Sequence, residues 1–233
     1  MRREPFSVGS FVHVMKRGAR GGPIVRDEND RWRFLKLLHY LNDAKVPRNW
    51  ERDISGEHIQ SGFSRPDHWP EPEPYVSVLA FCLLDNHFHI LAQEKQEDGM
   101  SRFMQRICTS MSLHSNTKYR ERGTLFQSAY QSRTVDNDVY LQYLSAYIQV
   151  KNTFELAPRQ AKRDFAALFS WAQEYPFASL IDYAGKRHAP IVHHALVREL
   201  FPSFSEFERF ARDVMGGRYE RDERLMLLEI DSV

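Results

Sequence analysis

The sequence is poor in the residues that staple secreted domains: 233 residues carry only two cysteines, Cys82 and Cys108. Each sits inside an apolar run and the pair has no metal-ligand spacing, which excludes a disulfide framework and a zinc knuckle. Buried thiols in a reducing cytoplasm are expected. No apolar run reaches the length needed to cross a bilayer, and the opening MRREPFSVGS has no hydrophobic signal core. A soluble cytoplasmic protein with no membrane partner is therefore expected. Charge of one sign is lacking too: 32 Lys and Arg stand against 31 Asp and Glu, a net charge of +1. Without a global basic field, any contact with nucleic acid must come from local patches. There is no internal repeat and no low-complexity tract.

What the chain does have is 42% hydrophobic residues, enough for a real core, and one unusually informative stretch, Val76 to Gln93. Two apolar runs, VSVLAFCLL and HFHILA, are split by Asp85-Asn86 and predict adjacent buried strands. Alternation puts His87, His89 and Leu91 on one face and Phe88, Ile90 and Ala92 on the other. Two imidazoles about 7 Å apart, at roughly 3.3 Å per residue, can converge on one ion. Neutral imidazole nitrogens suit first-row divalent metals such as manganese. A pair of partly buried histidines satisfied by neighbours accounts for the same pattern.

Ser10 to Lys16 alternates as a first strand and leads through Arg17-Gly18 into the loop ARGGP. There Lys16, Arg17 and Arg20 supply positive charge and glycines allow a ligand close to the backbone. Asp27 predicts the N-cap of a helix to about Asn42, with Trp32, Leu35, Leu38 and Leu41 as its apolar stripe. Residues from about 44 to 74, rich in proline and polar side chains, predict an irregular insertion. Gly99 precedes a helix to about Tyr119, whose core stripe is Met100, Phe103, Met104, Ile107 and Met111. Arg102, Arg106, Lys118, Arg120 and Arg122 form the richest basic cluster in the sequence, read either as a soluble face or as a phosphate contact. Thr124 to Val135 predicts a fourth strand. Asp136-Asn137-Asp138 caps a helix from about Val139 on which Tyr140, Tyr143, Leu144 and Tyr147 share one side. The first six elements match a ferredoxin-like α+β sheet with helices on one face, the tyrosine helix covering the other. Beyond Leu156, short helices are predicted over Phe165–Glu174, Val192–Phe201, Phe204–Met215 and Asp222–Ile230. Lys186 and Arg187 are a further candidate phosphate contact.

Taken in order, FVHVMKRG, FCLLDNHFHIL, SRFMQRICTSM, GTLFQSAYQS and DNDVYLQYLSAYIQVKN resemble the REP-associated tyrosine transposases, relatives of the single-tyrosine HUH transposases of bacterial insertion sequences. The resemblance runs from about Val8 to Phe154. It implies a catalytic domain over residues 1–155 and a helical C-terminal extension over 156–233.

The activity implied is that of a metal-dependent nickase and strand transferase acting on single-stranded DNA that carries a hairpin, a REP-like palindrome. A nucleoid-associated monomer or homodimer would follow. His87 and His89 match the two histidines of the HUH motif, and Tyr147 matches the nucleophilic tyrosine, which would form a 5′-phosphotyrosine. The implied cofactor is Mg2+ or Mn2+. A phenol with a pKa of about 10 is a poor nucleophile, so help with deprotonation or a more electrophilic phosphate is required. The family places a carboxamide one helical turn after the tyrosine to complete the metal site; here that position is Lys151, with Asn152 beside it. Asn152 reaches in through a local shift, or water fills the position, or Lys151 contacts the phosphate, or cleavage is weakened and a hairpin-binding regulator remains. The DNA surface implied is built from Lys16, Arg17, Arg20, Arg102, Arg106 and Arg122, with Lys151, Lys186 and Arg187 added.

Overall fold

A computed structural model describes residues 6–54 and 62–217. Its frame is a four-stranded antiparallel sheet of β1 (Phe11–Arg17), β2 (Val76–Leu83), β3 (His87–Glu94) and β4 (Gln131–Val135), in the order β2-β3-β1-β4. Apolar residues of opposite parity face two separate cores. Val12, Val14, Phe81, Phe88, Ile90 and Ala92 pack against one layer of helices. That layer is α1 (Glu28–Tyr40) and α3 (Gly99–Tyr119), with the single turn α2 (Trp50–Asp53) nearby. Asp27 accepts from the Asp30 amide as the expected cap of α1. All five stripe residues of α3 are buried.

The second core lies on the histidine face. Ala80, Cys82 and Leu91 of the sheet meet α4 (Asp138–Ala146), which Asn137 caps through the Tyr140 amide. The chain then passes through a π turn (Tyr147–Lys151) and a 3-10 turn (Asn152–Glu155). The extension supplies α5 (Phe165–Ala172), the short α6 (Leu180–Tyr183), α7 (His194–Leu200) and α8 (Phe204–Met215). Leu168, Phe169, Phe207 and Ala211 from these helices close the same core as Tyr147 and Ile148.

Two expectations are revised. The fourth strand is shorter than Thr124–Val135: only Gln131–Val135 pairs with β1, and Phe126 makes an isolated bridge to Gly18. The tyrosine helix is not continuous, because its α geometry gives way to a π turn at Tyr147. The predicted helix at Asp222–Ile230 lies outside the described residues.

Candidate active site

Strand parity and the register of β1 with β3 assemble the site. His89 lies opposite Met15, His87 opposite Arg17, and Leu91 opposite His13, so His13, Arg17, His87 and His89 share one face. All three imidazoles are buried, and their rings form a row: His13 and His89 stack with centroids 5.2 Å apart, His87 and His89 meet edge-on at 5.1 Å. His87 Nδ1 lies 2.7 Å from Asn86 Oδ1, so Nδ1 carries the proton and Nε2 is left with its lone pair. His89 Nδ1 lies 3.0 Å from His13 Nε2, so one ring donates to the other and their tautomers are linked. Burial, with His87 and Arg17 nearby, lowers the His89 pKa well below the ordinary imidazole value and favours the neutral ring.

Tyr147 belongs to the core on this same face, and its π turn packs on β2, where Cys82 lies opposite His89. The rings of Tyr140, Tyr143 and Tyr147 follow one another at 6.4 and 6.0 Å. Tyr147 is only 6% exposed, and the Lys151 ammonium sits 4.9 Å from its ring centroid. In a π turn the backbone closes from residue i to i+5, and here the Asn152 amide donates to the Tyr147 carbonyl. Asn152, rather than Lys151, therefore closes the turn below Tyr147. Asn152 is buried and its Nδ2 has no hydrogen-bond partner among the described residues.

Among the described residues, no three His, Cys, Asp or Glu side chains are grouped to hold a metal. The side chains whose chemistry suits a divalent ion on this face are His87 and His89, each with Nδ1 engaged inside the protein. The unpartnered Nδ2 of Asn152 is a hydrogen-bond donor, and only its Oδ1 could ligate a cation.

The candidate DNA-binding cations divide into two groups. Arg20, Arg102 and Arg122 are exposed, and Arg17 flanks His87. Lys16, Arg106 and Arg187 are instead committed to the fold and are withdrawn from the substrate surface. Lys16 points to the other face of the sheet and donates to the Ser128 carbonyl. Arg106 donates to the Asp43 carbonyl at 2.6 Å. Arg187 is paired with buried Asp182, its Nε 2.7 Å from Oδ1. Lys186 is ion-paired with Glu174 at the surface.

Three residues of the site escape a sequence reading. His13 is a lone histidine in its run, and its partner lies 76 residues away. Arg133 is exposed on edge strand β4 opposite His13, hence on the histidine face. Gln149 is buried two residues beyond Tyr147 and bonds to the extension.

Residues 72–151, which span β2, both histidines and the tyrosine turn, match the family model described as "Transposase IS200 like". The matched segment covers about a third of the chain. A solved REP-associated tyrosine transposase bound to a REP hairpin is 14% identical with a TM-score of 0.47, the match covering 82% of this chain and 88% of that one. The tRNA(His) guanylyltransferase of Saccharomyces cerevisiae is 10% identical with a TM-score of 0.34, covering 93% of this chain and 82% of that one. At these TM-scores neither likeness carries an argument about activity. No curated protein matches the sequence. No helix among the described residues is long and apolar enough to cross a membrane.

Proposed function

We propose that the chain cleaves and rejoins single-stranded DNA beside a hairpin, with Tyr147 as nucleophile. The observation that carries this is two buried histidines, each with Nδ1 engaged, on the same sheet face as a tyrosine turn, in a segment that matches the IS200-like transposase model.

The phenol oxygen of Tyr147 attacks the scissile phosphorus, and the bond from phosphorus to the 3′-oxygen breaks. The DNA 5′ end is left on the tyrosine as a phosphodiester, and the other strand end leaves as a 3′-hydroxyl carrying the proton. Because one phosphodiester replaces another, a 3′-hydroxyl can reverse the step and join strands without an external energy source. Burial disfavours a phenolate, and the Lys151 ammonium over the Tyr147 ring offsets part of that cost. Arg17, opposite His87, would neutralise charge on the phosphate. A divalent ion, Mg2+ or Mn2+, held by His87, His89 and Asn152, would polarise the phosphate. Arg20, Arg102, Arg122 and Arg133 are the exposed cations suited to backbone phosphates, which fix register, while unpaired bases supply sequence choice.

A second reading, a hairpin-binding regulator without cleavage, is favoured by the near-complete burial of Tyr147 and by Lys151 next to the ligand position. Incubation with hairpin-bearing single-stranded DNA and Mn2+, followed by denaturing electrophoresis, separates the two. A metal-dependent covalent band that is lost in Tyr147→Phe and His87→Ala supports cleavage. Tight binding by the parent chain with no such band supports the regulator.

A further inference from the structure

The tyrosine turn is tied to the extension by a buried polar chain that the chemistry above does not use. Gln149 Nε2 donates to the Ser145 carbonyl at 3.2 Å and to Ser145 Oγ at 3.0 Å, while Oε1 accepts from Ser179 Oγ at 2.9 Å. Ser179 also accepts from the Phe81 amide at 3.0 Å through Oγ, and its own amide donates to the Phe81 carbonyl at 2.9 Å. The chain closes through Tyr183, whose hydroxyl donates to the Leu79 carbonyl at 2.9 Å and lies 3.3 Å from Ser145 Oγ. Leu79 sits at the β2 irregularity between Val78 and Ala80. Gln149, Ser145 and Ser179 are fully buried.

The placing matters for chemistry. Gln149 is two residues from Tyr147 and three from Asn152, so it lies inside the turn that sets the rotation of both. A π turn is less regular than an α-helix, and such turns need outside support to stay in register. The amide of Gln149 makes an internal bond to Ser145 and an external bond to Ser179, and through Ser179 it is referenced to β2. Cys82 of β2 in turn lies opposite His89. One polar chain thus fixes the tyrosine turn relative to the histidine strand, and the middle link comes from the extension.

We infer that Gln149 and Ser179 are positioning residues for the strand-transfer reaction: the extension completes the active site by holding Tyr147 and Asn152 in register with the histidines. This rests on Tyr147 being the nucleophile. It assigns to the segment Ala178–Tyr183 a part in the chemical step rather than in DNA affinity.

The experiment uses the full chain with Gln149→Ala, Ser179→Ala, the double variant and Ser179→Thr, which keeps the hydroxyl. Three readouts are taken: hairpin affinity, the single-turnover rate of covalent adduct formation at saturating DNA, and amide hydrogen exchange over residues 145–153. Each alanine variant should slow adduct formation at least about tenfold with hairpin affinity unchanged, since geometry rather than binding is lost. The double variant should be no slower than the slower single, and Ser179→Thr should retain the parent rate. Exchange over 145–153 should accelerate in Ser179→Ala while β1 stays protected. Parent-like adduct rates in both alanine variants would overturn the inference, as would loss of rate that merely follows loss of affinity. If the parent chain forms no adduct, the nucleophile reading fails by itself; the exchange data then decide the lock, and unchanged protection over 145–153 overturns it.

Discussion

At the scale of the residue, the proposed function gives the neighbours Lys151 and Asn152 two separate tasks that an α-helix would assign to one position. The π turn hands the i+5 place to Asn152 and leaves Lys151 over the tyrosine ring. Asn152→Ala should therefore weaken Mn2+ binding about 10-fold or more, read by calorimetry without DNA. Lys151→Gln should leave Mn2+ affinity unchanged and slow adduct formation only. Equal loss of Mn2+ affinity in both variants would reverse this division. The shared face of His87 and His89 was legible because period-two alternation is enough by itself to put them there. His13 was not, because a single histidine acquires meaning only from strand pairing, and register is a long-range property. Charge counting failed in a similar way at Arg106 and Arg187. Composition cannot reveal that one guanidinium reaches a backbone carbonyl and the other a buried carboxylate.

At the scale of the element, α1 and α3 are bound by a polar cluster far from the histidines. Burial pushes the Asp30 carboxyl up, but Lys118, the Tyr119 hydroxyl, the Arg26 amide and His114 outweigh it and hold the pKa well below the usual carboxylate range. The contacts are 2.6 Å to Lys118, 2.6 Å to Tyr119, 2.9 Å to the Arg26 amide and 3.1 Å to His114. A carboxylate whose folded pKa is depressed stabilises the fold above its unfolded value. That contribution is lost as pH falls through and below about 4. Asp30→Asn should cost about 2 kcal/mol near neutral pH, and the gap to the parent should close below about pH 4 in urea titrations. A gap that persists undiminished in acid would point to packing instead. Stripes and breaks made most elements readable: α3 falls where periodicity and Gly99 put it, and α8 spans the expected Phe204–Met215. The π turn was invisible, since one extra residue in a turn leaves the hydrophobic pattern nearly intact.

At the scale of the molecule, the boundary drawn near residue 155 is continuous in the core. Phe169, Ala172, Phe207 and Ala211 share one apolar cluster with Leu91, Tyr147 and Ile148. A fragment ending at Glu155 would bare the histidine face of the sheet and its covering helix to water. It should show no cooperative unfolding transition by circular dichroism and should self-associate in size-exclusion chromatography. A monomeric fragment with a sharp transition would establish the first 155 residues as an independent unit. The ferredoxin-like frame was legible from element order alone, but the cooperation of the two parts was not. Nothing in the proline-punctuated extension signals that its aromatic residues fit under the tyrosine helix.

The strand order leaves β2 and β4 at the two rims of the sheet. The outer rim of β2 is already occupied: the Leu83 amide donates to the Phe177 carbonyl at 2.9 Å, and the His193 amide donates to the Val78 carbonyl at 2.8 Å. Among the described strands only β4 therefore offers backbone groups to another strand, and it is short and carries Arg133. Rim-to-rim association of sheets grows into a filament only when every copy has two open sides. A molecule with one open side can pair once and then has nothing left to offer, so pairing through the described strands would stop at two copies.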